Sequence, residues 1–253
     1  MKDNFSKQAD VYAKYRPTYP QELFDFILNH IKDKQAAWDC GTGNGQAAKE
    51  LANHFEKVFA TDISQKQIDK AHPASNIFYS VQPAEQTNFP DNIFDLITVS
   101  QALHWFKLNK FYTEVKRVAK SGAWIAVWMY NLPSVSPEID ELVNVQLYKN
   151  ELGKYWDYER KYVDDNYATL SFPFSEIQTP VFTIQLEWTL EELEGYINSW
   201  SALQKFIEAN QFSPVDKLIK QIQPHWSART PSEKNEKMKI VFPVYMRMGQ
   251  IEK

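Results

Sequence analysis

The chain of 253 residues is poor in cysteine and has no long hydrophobic run. Its single cysteine, Cys40, excludes an intrachain disulfide and a cysteine-based zinc site. The most apolar stretch, residues 123–130, is far shorter than the roughly 20 residues of a membrane-spanning helix. Residues 1–16 mix charged and polar side chains and lack the apolar segment of a secretory signal. We therefore expect a cytoplasmic protein in a reducing compartment, with no membrane partner and no metal.

Positive charge is also in short supply. Lysine and arginine number 28 against 32 aspartates and glutamates, so the formal net charge is −4. An acidic balance does not suit a protein that coats nucleic acid, and no run of basic residues interleaved with aromatics is present. Hydrophobic residues at 43% and charged residues at 24% are ordinary for a globular protein and exclude a disordered chain. We expect one domain over residues 1–253 and no nucleic-acid partner.

Glycine is scarce but clustered. Only 7 glycines occur in the chain, and three of them, Gly41, Gly43 and Gly45, lie within five residues. A chain that uses glycine so sparingly has a reason to concentrate it, and the usual reasons are a tight turn or the close approach of a ligand to the backbone. Aromatic residues reach 15%, which indicates a large core or an aromatic-lined pocket.

Strand-like and helix-like segments alternate through the first half of the chain, a pattern typical of a parallel sheet covered by helices on both faces. We predict an α/β fold with a doubly wound, mainly parallel, seven-stranded sheet and a helical insertion after the fifth strand. Residues 1–130 would bind a cofactor, residues 131–238 would hold the substrate-binding insertion with the sixth strand and further helices, and residues 239–253 would form the final strand. The predicted strands are residues 36–38, 57–61, 76–81, 94–100, 124–128, 181–188 and 239–248.

Helix starts are marked by capping residues. Ser64 with Gln67, Thr189 with Glu192, and Thr230 with Glu233 match the capping-box pattern, in which two side chains satisfy the free backbone N–H groups of the first turn. The pair Ser136-Pro137 predicts a further helix start.

The glycine cluster follows the first strand and opens the first helix, where open α/β sheets bind ligands. Asp62 ends the next strand, 62 − 41 = 21 residues after Gly41, the position of an acid that accepts hydrogen bonds from ribose hydroxyls. The dinucleotide pattern G-x-G-x-x-G is incomplete, because its third position is Gln46. Asp39, just before the loop, would repel a pyrophosphate but suits an ammonium or a sulfonium. These charges favour S-adenosylmethionine over NAD.

Several segments resemble the class I S-adenosylmethionine-dependent methyltransferases. Residues 39–45 (DCGTGNG) are similar to the first motif of that family, and residues 60–64 (ATDIS) to the second. Residues 83–85 (PAE) are similar to the third motif, and residues 94–97 (FDLI) and 101–106 (QALHWF) to the fourth. Residues 12–20, 101–106 and 199–201 resemble more narrowly the small-molecule enzymes of the trans-aconitate methyltransferase type. Where many relatives carry an aspartate, this chain has Pro83.

The resemblance implies roles for particular residues. Asp62 would bind the ribose hydroxyls, Ala84 and Glu85 would frame the adenine, and Arg16 would pair with the cofactor carboxylate or with an acidic acceptor. The full set expected at the cofactor is Arg16, Asp39, Gly41, Gly43, Asp62, Ile63, Ala84, Glu85 and Gln101.

Gln101 and His104 follow the fourth strand and are the candidate catalytic residues. Gln101 would face the site of methyl transfer. His104 would act as a general base or a hydrogen-bond donor to the substrate, or would only shape the pocket.

The acceptor is expected to be a small organic molecule, with a carboxylic acid first by resemblance. Aromatic residues of the insertion are expected to form a lid over it, and Arg160 is a candidate to recognise an acidic acceptor. The alternatives are C- or O-methylation of a quinone or another ring, an NAD-dependent oxidoreductase, and a cofactor-binding protein without catalysis. The oligomeric state stays open. The lid residues are Tyr148, Tyr155, Trp156, Tyr158 and Tyr162.

Overall fold

The computed structural model describes residues 17–226 and 236–253. Arg16, with most of the N-terminal segment that resembles the trans-aconitate enzymes, lies outside the described residues. The same holds for the predicted capping box of Thr230 and Glu233.

One mixed sheet organises the described part of the chain. Its spatial order is β3-β2-β1-β4-β5-β8-β6, with β7 also paired to β8. Strands β1 to β5 are mutually parallel, whereas β8 runs antiparallel to β5, β6 and β7. The strands are β1 Ala36–Cys40, β2 Lys57–Asp62, β3 Ile77–Val81, β4 Phe94–Ser100, β5 Ala119–Tyr130, β6 Ser175–Ile177, β7 Phe182–Trp188 and β8 Met238–Gln250.

The predicted α/β fold with a mainly parallel doubly wound sheet is confirmed, with a difference at one edge. Strands β6 and β7 pair with opposite ends of β8, so together they occupy the seventh position of the sheet. The sequence analysis predicts only the second of these segments, because β6 is three residues long and carries no alternating pattern.

Helices cover both faces of the sheet. They are α1 Gln21–Leu28, α2 Gln46–Ala52, α3 Gln65–Ile68, α4 Leu108–Val118, α5 Pro137–Asp140, α6 Arg160–Asp164, α7 Leu190–Asn198, α8 Ser201–Asn210 and α9 Val215–Trp226. A π-helix, Glu141–Glu151, and two 3-10 turns, Leu103–Trp105 and Gly153–Tyr155, complete the set. The helical insertion predicted after the fifth strand is therefore present.

Two of the predicted helix caps are confirmed and one is wrong. Thr189 accepts the backbone N–H of Glu192, whose side chain accepts the N–H of Thr189 in return. Ser136 accepts the N–H of Ile139 at the start of α5. Ser64 occupies the N-cap of α3, but its side chain makes no capping hydrogen bond. Helix α3 is only four residues long, and Gln67 is buried beside the glycine loop instead of closing a box.

The core lies on both sides of the sheet. Neighbouring residues of β1 belong to different clusters: Ala37 packs with α1 and the insertion, and Trp38 packs on the opposite face. The indole ring of Trp38 stacks on Phe94 and meets Phe111 edge to face. Much of the aromatic excess is therefore core. Because both faces of the sheet are covered, β1 is buried along its whole length and β4 along all but its last residue.

Candidate active site

A cavity opens at the carboxyl ends of the parallel strands. Each of the five strands contributes at least one lining residue at or just after its last position, among them Gly41, Asp62, Gln82, Gln101 and Tyr130. Strands β1 and β4 are neighbours although β2 and β3 come between them in the sequence, so the chain changes direction across the sheet at this point. Such a switch point is where doubly wound sheets bind ligands.

The glycine loop forms the floor of the cavity. Its three glycines have left-handed backbones, with φ of 69° at Gly41, 56° at Gly43 and 81° at Gly45. The N–H groups of Gly41 and Thr42 both donate to the carbonyl of Thr61, at 2.8 and 3.0 Å, which holds the loop against β2. A Cβ at Gly41 would lie 2.8 Å from the Cβ of Ala102. Glycine is therefore required there both by backbone conformation and by space.

Asp62 lines the cavity and is hydrogen-bonded to the glycine loop. Its Oδ2 accepts the N–H of Gly43 and its Oδ1 accepts the N–H of Ser64, each at 2.9 Å. A carboxylate oxygen has more than one lone-pair site, so these bonds orient the group and still allow it to accept hydroxyl donors. Its position on the cavity wall is the one expected of a ribose-binding acid.

Asp39 lies beneath the loop and does not line the cavity. Its carboxylate accepts the hydroxyls of Thr42 and Thr98, at 2.5 and 2.8 Å. Burial raises the pKa of Asp39 to about 6, against the opposing effect of these hydrogen bonds. Direct contact with the ammonium or sulfonium of a cofactor, as its charge predicts, does not fit this placement, because both oxygens accept hydrogen bonds from residues of the protein. Asp39 instead supports the glycine loop from below.

Gln101 lines the cavity in a constrained conformation. Its φ of 55° is unusual for a residue with a side chain. The side-chain amide makes two bonds to the backbone of Tyr130, donating to its carbonyl at 3.2 Å and accepting its N–H at 2.9 Å. Gln101 therefore ties the end of β4 to the end of β5. These bonds use one N–H and one lone pair of the amide, and the catalytic role of Gln101 stays a prediction beside this structural contact.

His104 is buried behind the wall of the cavity. Its Nδ1 lies 2.8 Å from the hydroxyl of Tyr167, and the ring does not line the cavity. Burial lowers the pKa of His104 to about 3, with the charge of Arg160 as a second cause. The structure therefore does not bring this histidine to the position of a general base, and it favours the alternative that His104 shapes the 3-10 turn carrying Trp105.

Of the two residues expected at the adenine, only one lines the cavity. Ala84 lines the cavity, as does Ile63 after β2. Glu85 does not, because its carboxylate accepts the backbone N–H of Lys107 at 2.9 Å. Lys107 is the N-cap of α4, so the acid stabilises the start of that helix. The adenine-binding role implied for Glu85 does not fit this contact.

The sequence analysis missed several lining residues. Gln82 and Tyr130 stand at the ends of strands, and the rule that finds Asp62 would have found them. Tyr19 belongs to residues 12–20, which enter the sequence analysis only through the family resemblance. Its ring meets Trp128 edge to face at 5.6 Å and lies 6.3 Å from Tyr130, which places two tyrosines on one wall.

The insertion aromatics expected to form a lid are placed elsewhere. None of the five belongs to the lining of the cavity. Tyr148 and Trp156 pack on each other and on Trp200, in the core between the insertion and α7. Tyr158 is exposed. Their helical spacing reflects packing, not a cover over the cavity.

The charge of the lining is a further constraint on the ligand. Among the described residues that line the cavity, Asp62 is the one charged side chain, and no lysine or arginine is included. A dinucleotide pyrophosphate would find no counter-charge there. A ligand with a ribose, an adenine and a positively charged sulfur fits the carboxylate, the amides and the aromatic rings. The described residues thus fit S-adenosylmethionine better than NAD.

Comparison with known proteins points to one family. The model of a family described as methyltransferase domain matches residues 38–127. A protein of Dictyostelium discoideum, provisionally described as a methyltransferase, is 32% identical over 253 residues, covering 99% of this chain and 95% of that protein. A Saccharomyces cerevisiae protein, provisionally described as an S-adenosylmethionine-dependent methyltransferase, is 24% identical and covers 80% of this chain and 82% of that protein.

A solved structure agrees with these relatives. A protein of Anaeromyxobacter dehalogenans, provisionally described as a type II methyltransferase, superposes with a TM-score of 0.85 at 34% identity. The match covers 94% of this chain and 99% of that one.

Within residues 17–226 and 236–253, no helix has the length and apolar character needed to cross a membrane.

Proposed function

The chain belongs to the class I S-adenosylmethionine-dependent methyltransferases, and on that premise we propose that it methylates a small organic acceptor, with a small carboxylic acid as the first candidate. The observation that carries the small-molecule part is the cavity itself, which is built by five strand ends and bounded by Tyr19, Trp105 and Tyr130. The relation to the trans-aconitate enzymes stays a prediction.

The residues that would hold the cofactor follow from the site. Bound S-adenosylmethionine would supply a methyl group from its positively charged sulfur. The sulfur becomes a neutral thioether when the methyl group passes to the acceptor. Asp62 would accept the ribose hydroxyls, while the backbone of Gly41 and Gly43 allows close approach. Ile63 and Ala84 give apolar contacts at the end of the cavity formed after β2 and β3. Arg16 remains a candidate for the carboxylate of the methionine part.

The protein's main contribution to the reaction would be alignment. Holding two reactants in the right geometry can supply roughly 7–11 kcal/mol of the barrier. Gln101 supports this role, because its double hydrogen bond to Tyr130 keeps the ends of β4 and β5 in register beside the cavity. A carboxylate acceptor is already a nucleophile and needs no general base. This agrees with the position of His104, which does not line the cavity.

A second acceptor class has its own support. Four aromatic rings line the cavity: Tyr19, Trp105, Phe106 and Tyr130. A flat ring such as a quinone or phenol would stack against such walls. An acid would need a cation, and the described lining offers none. The choice between the two classes therefore depends on a basic group next to the cavity.

The proposal is tested by calorimetric titration with S-adenosylmethionine, S-adenosylhomocysteine and NAD, followed by methyl-transfer assays. The acceptor panel pairs small carboxylic acids with phenols and quinols, and product S-adenosylhomocysteine is measured. We expect binding of the first two ligands, weakened in Asp62→Ala, and turnover on at least one acceptor class. Binding of NAD alone would overturn the proposal. Tight cofactor binding without turnover on either class would favour a cofactor-binding protein without catalysis.

A further inference from the structure

We propose that Arg160 forms a carboxylate-binding subsite for the acceptor, behind the cavity wall to which Trp105 belongs. This inference rests on the proposed function, since it assigns the group that would recognise an acidic acceptor. It starts from a contrast among the arginines that the structure describes.

Arg117 and Arg247 have fully used guanidinium groups. In Arg117, Nε and both terminal nitrogens donate to the carboxylates of Glu114 and Asp91 and to neighbouring oxygens, at 2.6–3.5 Å. In Arg247, Nε and both terminal nitrogens donate to Glu176 and to two backbone carbonyls, at 2.6–3.2 Å. Both are structural clamps, with no donor edge left for a ligand.

Arg160 differs from both. Its Nε donates to the hydroxyl of Tyr148 at 2.6 Å and lies 3.3 Å from Oδ1 of Asp164. No hydrogen bond joins its two terminal nitrogens to any of the described residues. Those nitrogens form the planar fork that binds a carboxylate with two parallel hydrogen bonds. The ion pair with Asp164 leaves the fork open, because Oδ1 of Asp164 lies against Nε, where it also accepts the Tyr148 hydroxyl at 2.6 Å.

The guanidinium is held in place by rings. Its central carbon lies 5.3 Å from the ring centroid of Tyr148 and 5.1 Å from that of Trp156. The side chain is only 19% exposed, so little conformational entropy remains to be lost on binding. A weakly hydrated, oriented and partly desolvated guanidinium binds a carboxylate more strongly than a surface arginine does.

The position of Arg160 connects it with the cavity. Helix α6, which begins at Arg160, packs on the 3-10 turn Leu103–Trp105. The charge of Arg160 acts on His104 in that turn. The next residue, Trp105, lines the cavity. An acceptor that has its reactive atom in the cavity and a carboxylate reaching past this turn would meet the fork of Arg160.

The experiment measures carboxylate binding directly. Glutarate and benzoate are titrated calorimetrically against glutaramide and benzamide, with and without saturating S-adenosylhomocysteine. The variants are Arg160→Gln, Arg160→Lys and the control Lys161→Gln, which removes one positive charge from the same helix at an exposed position. We expect the wild type to bind a carboxylate in preference to its amide. Arg160→Gln should lose about 10- to 100-fold in that affinity, Arg160→Lys should recover only part, and Lys161→Gln should match the wild type.

Several titration results would overturn the proposal. The first is a wild type that binds no carboxylate better than its amide, the second is an unchanged affinity in Arg160→Gln, and the third is an equal loss in Lys161→Gln. Inorganic phosphate that binds as tightly as the acids would also count against an acceptor subsite.

Cofactor titration separates this inference from the proposed function. If S-adenosylhomocysteine binds and only uncharged acceptors are methylated, the Arg160 subsite fails and methyl transfer stands. If S-adenosylhomocysteine does not bind, methyl transfer fails, and the titrations without it still decide the subsite. In steady state, Arg160→Gln should raise the KM for an acidic acceptor and leave the KM for an uncharged one unchanged, a split that general loss of structure would not produce.

Discussion

Replacing Gly41 or Gly43 by alanine separates the cost of a left-handed backbone from the cost of steric overlap in the glycine loop. Both residues have left-handed backbones, with φ of 69° and 56°. A Cβ at Gly41 would lie 2.8 Å from the Cβ of Ala102 and 3.2 Å from the ring of Phe106. A Cβ at Gly43 would meet only Oε1 of Gln67, at an ordinary 3.9 Å. The two variants therefore share the backbone strain and differ in steric overlap.

The magnitudes follow from that difference. A left-handed conformation costs a residue with a side chain about 1–2 kcal/mol, so Gly43→Ala should lower the free energy of unfolding by about that amount. Gly41→Ala should lower the free energy of unfolding by a further ~1–3 kcal/mol through overpacking, because the Cβ of Ala102 is bonded directly to the backbone and has no rotamer that avoids the overlap. The total for Gly41→Ala is then about 2–5 kcal/mol.

The assay is urea unfolding followed by tryptophan fluorescence, with the slope against urea checked for each variant. Wild type, Gly41→Ala and Gly43→Ala are compared at one pH and without cofactor, so that binding does not add to stability. An equal loss in the two variants, or a larger loss in Gly43→Ala, would refute the steric argument and leave only the backbone term.

Three further predictions concern the acid and base groups of the site. Asp62→Asn should weaken S-adenosylhomocysteine binding about tenfold by calorimetry, because an amide has one acceptor oxygen where the carboxylate uses two. Asp62→Asn also loses one of the two backbone hydrogen bonds to this side chain, so its melting temperature is measured as the control that it is folded in the titration. His104→Gln should keep kcat within about tenfold, whereas loss of a general base costs about 10²- to 10⁴-fold. Asp39 has a folded-state pKa of about 6 against 3.8, so its contribution to stability is present below pH 3.8 and is lost as the pH rises to 6. Asp39→Asn should therefore gain up to about 3 kcal/mol relative to the wild type between pH 4 and pH 7 in urea unfolding, and a pH-independent difference would contradict the burial of this acid.

The sequence alone was sufficient for the fold class, and it placed Gly41 and Asp62 at the strand ends where the structure has a cavity. Alternating strand and helix patterns depend on local periodicity, and a parallel sheet follows because strands joined by helices must cross over in one direction. Gly41 and Asp62 were found for the same reason: both stand at strand ends only 21 residues apart, in a unit whose geometry is nearly invariant. The pairing of both β6 and β7 with β8 could not be predicted, because β6 is too short to carry an alternating pattern.

Which polar side chains reach the cavity was decided by the tertiary structure. Asp39, Glu85 and His104 all stand close to strand ends, yet partners elsewhere in the chain turn each of them away: Thr98, Lys107 and Tyr167. Tyr167 is 63 residues from His104, and no local pattern can indicate such a pairing. The free fork of Arg160 depends likewise on rings that fold around it. Periodicity and spacing act through neighbouring residues, whereas buried polar groups take whichever partner the fold brings within hydrogen-bonding distance.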